Sequence, residues 1–207
     1  MTAVANLAAF TGLNMCFALI PGPDMICIVS NTLTGGSRAG LAVAFGLATG
    51  CLFHVACATL GLSAYLQAAP SAFLILKWLG AMYLMLLGWN LMRAPAMPVE
   101  NRLSPSLRTP FRQGVLSNLL NPKVAIFFIA ILPQFVVPDL GNVGMQVLML
   151  GAVSIVTGTA VNIATAVLAA RARMIAQARN GLGARMQRGA GCMLFLVALR
   201  VALERVQ

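Results

Sequence analysis

The sequence predicts an all-α, polytopic membrane protein with six transmembrane helices arranged as two inverted three-helix repeats. Of its 207 residues, 60% are hydrophobic and only 9% are charged, whereas a soluble domain carries about 25% charged residues. Apolar runs close to the ~20 residues that a helix needs to cross a bilayer recur along the chain, without the alternation of a membrane barrel. They cover approximately residues 4–31, 39–66, 72–92, 112–136, 143–170 and 188–205. This composition excludes an ordinary soluble enzyme and a disordered chain.

The first apolar run is interrupted by Pro21, Gly22 and Pro23, which Asp24 follows directly. Proline removes a backbone donor and clashes with the preceding turn, so two prolines around a glycine predict a broken helix. Such a break within a membrane lines a cavity or is buried in protein. The run is also longer than the core of a signal peptide, and we expect it to be retained as the first span.

The second run carries Gly46, Gly50 and His54 at four-residue spacing. Small residues let helix backbones approach closely, so the glycines predict a packing seam, either within the chain or between two copies. We expect a homodimer. His54 is the only histidine, and an imidazole within the membrane can carry a proton near neutral pH, which makes it a candidate for proton coupling.

A proline-rich linker at residues 93–111 divides the chain into halves. We predict a single transporter domain over residues 1–207, with a first repeat at about 4–92 and a second at about 112–205. Inverted repeats with interrupted helices in corresponding positions are a recurring transporter architecture.

The fourth run contains Asn121, Pro122 and Lys123, so its helix is predicted to break at Pro122. Shifting the sequence by 101 residues superposes Pro21 on Pro122 and several glycines on one another. The two predicted breaks therefore occupy similar positions in the two halves.

Positive charge alternates between the connections. Ten of the 14 Lys and Arg residues lie in the first, third and fifth connections, three lie on the opposite side, and Lys123 lies within a span. Because cytoplasmic loops are enriched in Lys and Arg, the 93–111 linker is predicted to be cytoplasmic and both termini to lie outside the cytoplasm. The net charge of +10 is explained by topology, so we expect a lipid bilayer and no nucleic acid as partner.

Asp24 and Lys123 are the candidate functional charges, because each follows a proline break within an apolar run. A charge in hydrocarbon costs at least ~2.5–3.5 kcal/mol, so such residues are generally paired or functional. One interpretation is a shared cavity in which Asp24 binds the ammonium and Lys123 the carboxylate of a zwitterion; the other is a structural ion pair. Further candidates for substrate binding, with hydrogen bonding between helices as the alternative for the asparagines, are Gly22, Asn118, Asn121 and Asn162.

No nucleotide-binding signature is present, so an ion gradient is the expected energy source, and we predict no cofactor and no resident metal. Two other functions stay open. A metal or other ion exporter would use Cys51, His54 and Asp24, and a membrane thiol oxidoreductase would need two cysteines within reach of one disulfide. The five cysteines form no CxxC pair.

Several motifs resemble those of the lysine exporter and homoserine/threonine efflux (LysE/RhtB) family. They are the run from Pro21 to Asp24, the segment from Gly36 to Gly40 that leads to Gly46 and Gly50, and the segment from Gly114 to Lys123 followed by Phe127 and Phe128. The resemblance covers essentially the whole chain. It implies a bacterial inner-membrane exporter of amino acids or small derivatives, such as homoserine, threonine or lysine, driven by proton antiport, with both termini periplasmic in the predicted topology.

Overall fold

The computed structural model describes residues 3–61 and 107–177. It also describes ten single residues of helical conformation, which are Trp78, Met82, Met85, Leu86, Trp89, Gly189, Cys192, Phe195, Leu196 and Leu199. The third and sixth predicted spans and most of the predicted linker lie largely outside the described residues. Throughout the described part of the chain, the regular structure is helical and contains no strand, which confirms the all-α class.

The first predicted span is a broken helix. Helix α1 runs from Ala3–Leu19, and helix α2 runs from Pro23–Thr59. Gly22 is the N-cap of α2 in an extended conformation, and Pro23 occupies the first helical position. Proline is favoured there because the first N–H groups of a helix have no helical partner. The break therefore lies at Pro21 and Gly22, as predicted.

Helix α2 reverses direction at Gly36, where φ is +82° and ψ is −176°. Ile28 and Leu47 belong to one buried cluster, although a straight helix would separate two residues 19 positions apart by about 28 Å. The positive φ favours glycine, which has no Cβ to clash. The two limbs, residues 23–35 and 37–59, correspond to the end of the first predicted span and to most of the second.

The fourth predicted span is also broken. Helix α3 runs from Arg108–Leu119 and helix α4 from Pro122–Ile126, which continues as a π-helix at Phe127–Ile131 and a 3₁₀-helix at Leu132–Phe135. The parts before and after the break are bent by 46°. Helix α3 begins at Arg108, four residues before the approximate start of the predicted span, and a proline at residue 110 is tolerated because it lies in the first helical turn.

Helix α5 runs from Val143–Gln177, after a short 3₁₀-helix at Pro138–Leu140. Its 35 residues span about 52 Å, which exceeds the ~30 Å hydrocarbon core of a bilayer. Helices α2 and α5 are both long and apolar enough to cross a membrane, and α3 with Pro122–Phe135 forms a third span if the bent pair crosses as one. The described part of the chain thus has at least two membrane-spanning helices.

The glycine seam of α2 packs within the chain. A Cβ added to Gly46 would collide with the carbonyl oxygen of Phe111, and a Cβ added to Gly50 would lie 2.8 Å from the Cβ of Asn118. Gly114 faces Gly46 from α3 in the same way. Gly46 and Gly50 therefore let α2 and α3 approach closely within one chain. They give no support to the expected homodimer.

Gly46→Ala should destabilise the protein, because the added methyl has no space against the α3 backbone. Overpacking of this kind costs ~1–3 kcal/mol, so the melting temperature of the protein in detergent should fall by several degrees. Gly12→Ala is the matched control, since nothing lies within 4 Å of a Cβ at Gly12. Equal melting temperatures for the two variants would contradict the seam.

Candidate functional site

A cavity of about 100 Å³ lies between the two helix breaks, with room for several water molecules. Its walls come from α1, both limbs of α2, α3, α4, the π-helix and α5. All six residues that the sequence suggested for substrate binding line it, namely Gly22, Asp24, Asn118, Asn121, Lys123 and Asn162. Among the described residues that line this cavity, Asp24 and Lys123 are the two that carry a formal charge.

The carboxylate of Asp24 is held by two neutral donors on α3. Its Oδ1 accepts a hydrogen bond from Ser117 Oγ at 3.0 Å, and its Oδ2 accepts one from Asn118 Nδ2 at 3.1 Å. Hydrogen bonds to an ionised group are stronger than neutral ones. They join the start of α2 to α3 just before the second break.

Ser117 was missed by sequence reasoning. It is 1% exposed and adjoins Asn118, so two neighbouring polar residues in an apolar run were the available signal. The donated bond to Asp24 comes from a residue 93 positions away in the chain, and only the fold shows that pairing.

The ammonium of Lys123 reaches across to the first break. Its Nζ donates a hydrogen bond to the carbonyl oxygen of Ile20 at 2.6 Å and lies 4.8 Å from the centre of the Phe17 ring. In an uninterrupted helix, that carbonyl would accept the N–H four residues later. A cation over an aromatic face gains further electrostatic stabilisation.

The two charges share the cavity without a direct ion pair. Among the described residues, Asp24 is hydrogen-bonded by Ser117 and Asn118, and Lys123 by Ile20, and no salt bridge joins the acid to the base. Each charge therefore has its own set of partners, and a polar ligand can approach both.

Asp24 and Lys123 also occupy equivalent helical positions. Gly22 caps α2, Pro23 is its first residue and Asp24 its second; Asn121, Pro122 and Lys123 stand in the same order at the start of α4. The shift that superposes the two helix starts is 99 residues, from 122 − 23, rather than the 101 that superposed the glycines. The acid and the base are thus matched residues of the two breaks.

Two of the asparagines, Asn121 and Asn14, make hydrogen bonds within the fold, and Asn162 lies in the cavity wall. The side chain of Asn121 accepts the backbone N–H of Lys123 at 3.0 Å and so caps α4. Asn14 of α1 donates to the hydroxyl of Thr157 on α5. Asn162 lines the α5 wall of the cavity with Ser154 and Thr159.

His54 does not line the cavity. It is 8% exposed, its Nε2 donates to the backbone carbonyl of Asn118 at 3.1 Å, and its ring stacks on Phe128 at 5.7 Å between centroids. Asn118 connects His54 to Asp24, because its backbone carbonyl contacts the imidazole and its side chain contacts the acid.

The residues of the two alternative functions are not assembled in the described ranges. Cys51 lines the cavity with Asp24, but within 3–61 and 107–177 no three His, Cys, Asp or Glu side chains are placed to hold a metal ion. Cys16, Cys27, Cys51 and Cys57 are thiols that form no disulfide.

Two buried apolar layers lie on opposite sides of the cavity. The aromatic layer consists of Phe10, Val55, Phe127, Phe128, Leu132, Val147 and Leu150. The turn-side layer, which lies towards Gly36, consists of Cys27, Ile28, Val43, Leu47 and Ala166. Along α5, the order is Val147 in the first layer, Ser154 to Asn162 in the cavity wall, and Ala166 in the second. One buried apolar layer therefore lies on each side of the cavity along α5.

Comparison with known proteins identifies the family. Residues 15–205 match the family model described as LysE type translocator. The chain belongs to the LysE family of translocators. This confirms the resemblance found in the sequence, and the family and its efflux relatives make the chain a transporter rather than an enzyme.

Relatives of this LysE-family protein include both efflux proteins and membrane proteins of unstated activity. The homoserine/homoserine lactone efflux protein of Salmonella typhimurium is 34% identical over 156 residues, 74% of this chain and 75% of the relative. The uncharacterized membrane protein YrhP of Bacillus subtilis is 35% identical over 159 residues, 72% of this chain and 75% of YrhP. An uncharacterized membrane protein of Pseudomonas aeruginosa is 31% identical over 182 residues, 80% of this chain and 84% of that protein. No solved structure gives a significant match.

Proposed function

We propose that this LysE-family translocator exports small amino acids or amino-acid derivatives of the homoserine type across a bacterial inner membrane, by proton antiport. The observation that carries the proposal is the placement of Asp24 and Lys123 at the two helix breaks, facing one small cavity. The printed function of the Salmonella relative supports the substrate class.

The zwitterion of an amino acid matches the two charges. Its carboxylate takes the place of the Ile20 carbonyl on the Lys123 ammonium, and its ammonium binds the Asp24 carboxylate beside Ser117 and Asn118. The remaining polar lining is neutral and includes Asn14, Ser154, Thr159 and Asn162. Since the cavity is small and its described lining has no third charge, it suits a short, uncharged side chain.

Asp24 is our first candidate for the proton carrier, because it lines the cavity, where a proton and the substrate ammonium compete for one carboxylate. His54 is the second candidate for the proton carrier. It would act through Asn118, whose backbone carbonyl it contacts. The matched breaks support the proposal that two inverted repeats rock against each other to alternate access. The Arg-rich connections would then face the cytoplasm and the termini the periplasm.

The function is tested by efflux from bacterial cells that express the protein and are preloaded with a mixture of labelled amino acids. We expect homoserine and threonine to leave faster than from cells with an empty vector, and an uncoupler to abolish the difference. If no amino acid moves while the protein is present in the inner membrane, the proposal is wrong and metal ions become the next substrates to measure.

A further inference from the structure

The turn-side layer is closed by a contact between α5 and the end of the first limb of α2. Arg173 is half-buried, and its Nη1 donates to the carbonyl oxygen of Thr32 at 3.5 Å. Thr32 lies in the last turn before the chain leaves the helix at Gly36. A cation is favoured beside the carbonyls at the C-terminal end of a helix.

Gly36 provides the space that the Arg173 guanidinium occupies. A Cβ added to Gly36 would lie 2.7 Å from Arg173 Nη1, and the φ of +82° would strain any other residue. Two separate observations therefore support this contact: the hydrogen bond from Arg173 to Thr32, and the absence of a side chain at Gly36.

The backbones beneath this contact are packed closely. A Cβ added to Gly40 would overlap the side chain of Thr32 and lie 3.2 Å from the Cβ of Ala166. The layer below contains no aromatic ring, in contrast to the layer on the other side of the cavity. Closure at this end thus depends on the two limbs of α2 and α5 staying together, rather than on a large side chain that fills the opening.

We propose that Arg173 is a latch that keeps the cavity closed on the Gly36 side. Release of Arg173 from Thr32 lets α5 separate from the two limbs of α2 and opens a path through the turn-side layer to Asp24. The latch rests on the proposed function only in that this cavity is the transport path; it does not depend on which substrate is carried.

Cys27 is a native reporter of that opening. It belongs to the turn-side layer and is 0% exposed, so a maleimide reaches its thiol only when the layer separates. The full-length protein in lipid nanodiscs is treated with N-ethylmaleimide, and mass spectrometry follows alkylation of Cys27 with every native cysteine retained. Denatured protein gives the rate for an accessible thiol.

Arg173→Ala should increase the alkylation rate of Cys27 about tenfold, a factor equivalent to ~1.4 kcal/mol of lost closure. Arg171→Ala is the matched control: Arg171 is exposed two residues earlier on α5, and its replacement should leave the rate at the wild-type value. Arg173→Gln, which keeps a polar but shorter side chain, repeats the measurement if the alanine variant inserts poorly.

Two results would overturn the latch: wild-type alkylation of Cys27 in both Arg173 variants, or equally fast alkylation in Arg171→Ala. The measurement contains no substrate, so it fails or succeeds independently of the efflux assay. Fast alkylation in Arg173→Ala together with no amino-acid efflux from wild-type cells would retain the latch and reject the proposed substrate.

Discussion

Lys123→Ala should reduce amino-acid efflux at least about 30-fold, while the protein remains in the membrane. Lys123 supplies the only positive charge among the described residues of the cavity lining, so the variant has lost the cationic partner proposed for a substrate carboxylate. In the proposed complex Lys123 pairs with the substrate carboxylate, and truncating one member of such a hydrogen-bonded charge pair costs at least ~2 kcal/mol, which corresponds to this factor. Initial efflux rates from preloaded cells, normalised to the amount of protein in the membrane, give the comparison.

The matched control for this variant is Arg112→Ala. Arg112 is an exposed cation on α3, eleven residues before Lys123, and does not line the cavity. Its removal changes the net charge equally but should leave efflux within about twofold of wild type, as is usual for a surface substitution. A Lys123→Ala protein that exports as well as Arg112→Ala would mean that Lys123 only ties α4 to the carbonyl of Ile20.

The sequence was sufficient for the two breaks because proline acts locally. Pro23 and Pro122 each start a helix in the structure, and the residues before them are extended. The charges that follow could be singled out because a charge in an apolar run is costly wherever it lies. The same reasoning placed Gly22 and three asparagines in the site, and all of them line the cavity.

What the sequence could not predict depends on contacts between distant residues. The donors to Asp24 are 93 and 94 residues away, and the acceptor for Lys123 is 103 residues away. The π-helix at Phe127–Ile131 leaves no periodic signal over five apolar residues. His54 was a candidate because it is the only histidine and lies in an apolar run, but its ring turns towards α3 and the Phe128 ring.

Asp24→Asn should abolish proton-driven efflux without unfolding the protein. An amide offers only one acceptor, so it can replace one of the two bonds that the carboxylate accepts from Ser117 and Asn118. The other end of the amide becomes a donor, and Asn118 Oδ1, which is buried without a hydrogen-bond partner, can turn to accept it. Residue 24 therefore keeps a hydrogen bond to Ser117 and one to Asn118, whereas an amide takes up no proton in the physiological range.

The measurement compares net efflux with exchange of labelled for unlabelled substrate across vesicles. In Asp24→Asn, net efflux should fall to the empty-vector level and lose its response to the uncoupler, while exchange continues at a reduced rate because the amide oxygen still accepts from an ammonium. Asp139→Asn is the matched control, since Asp139 is an exposed acid outside the cavity.

His54→Gln, which can still donate to the Asn118 carbonyl, should keep uncoupler-sensitive efflux. The opposite result would be efflux that loses its response to the uncoupler in His54→Gln and retains it in Asp24→Asn. His54 would then carry the proton, and Asp24 would bind only the substrate.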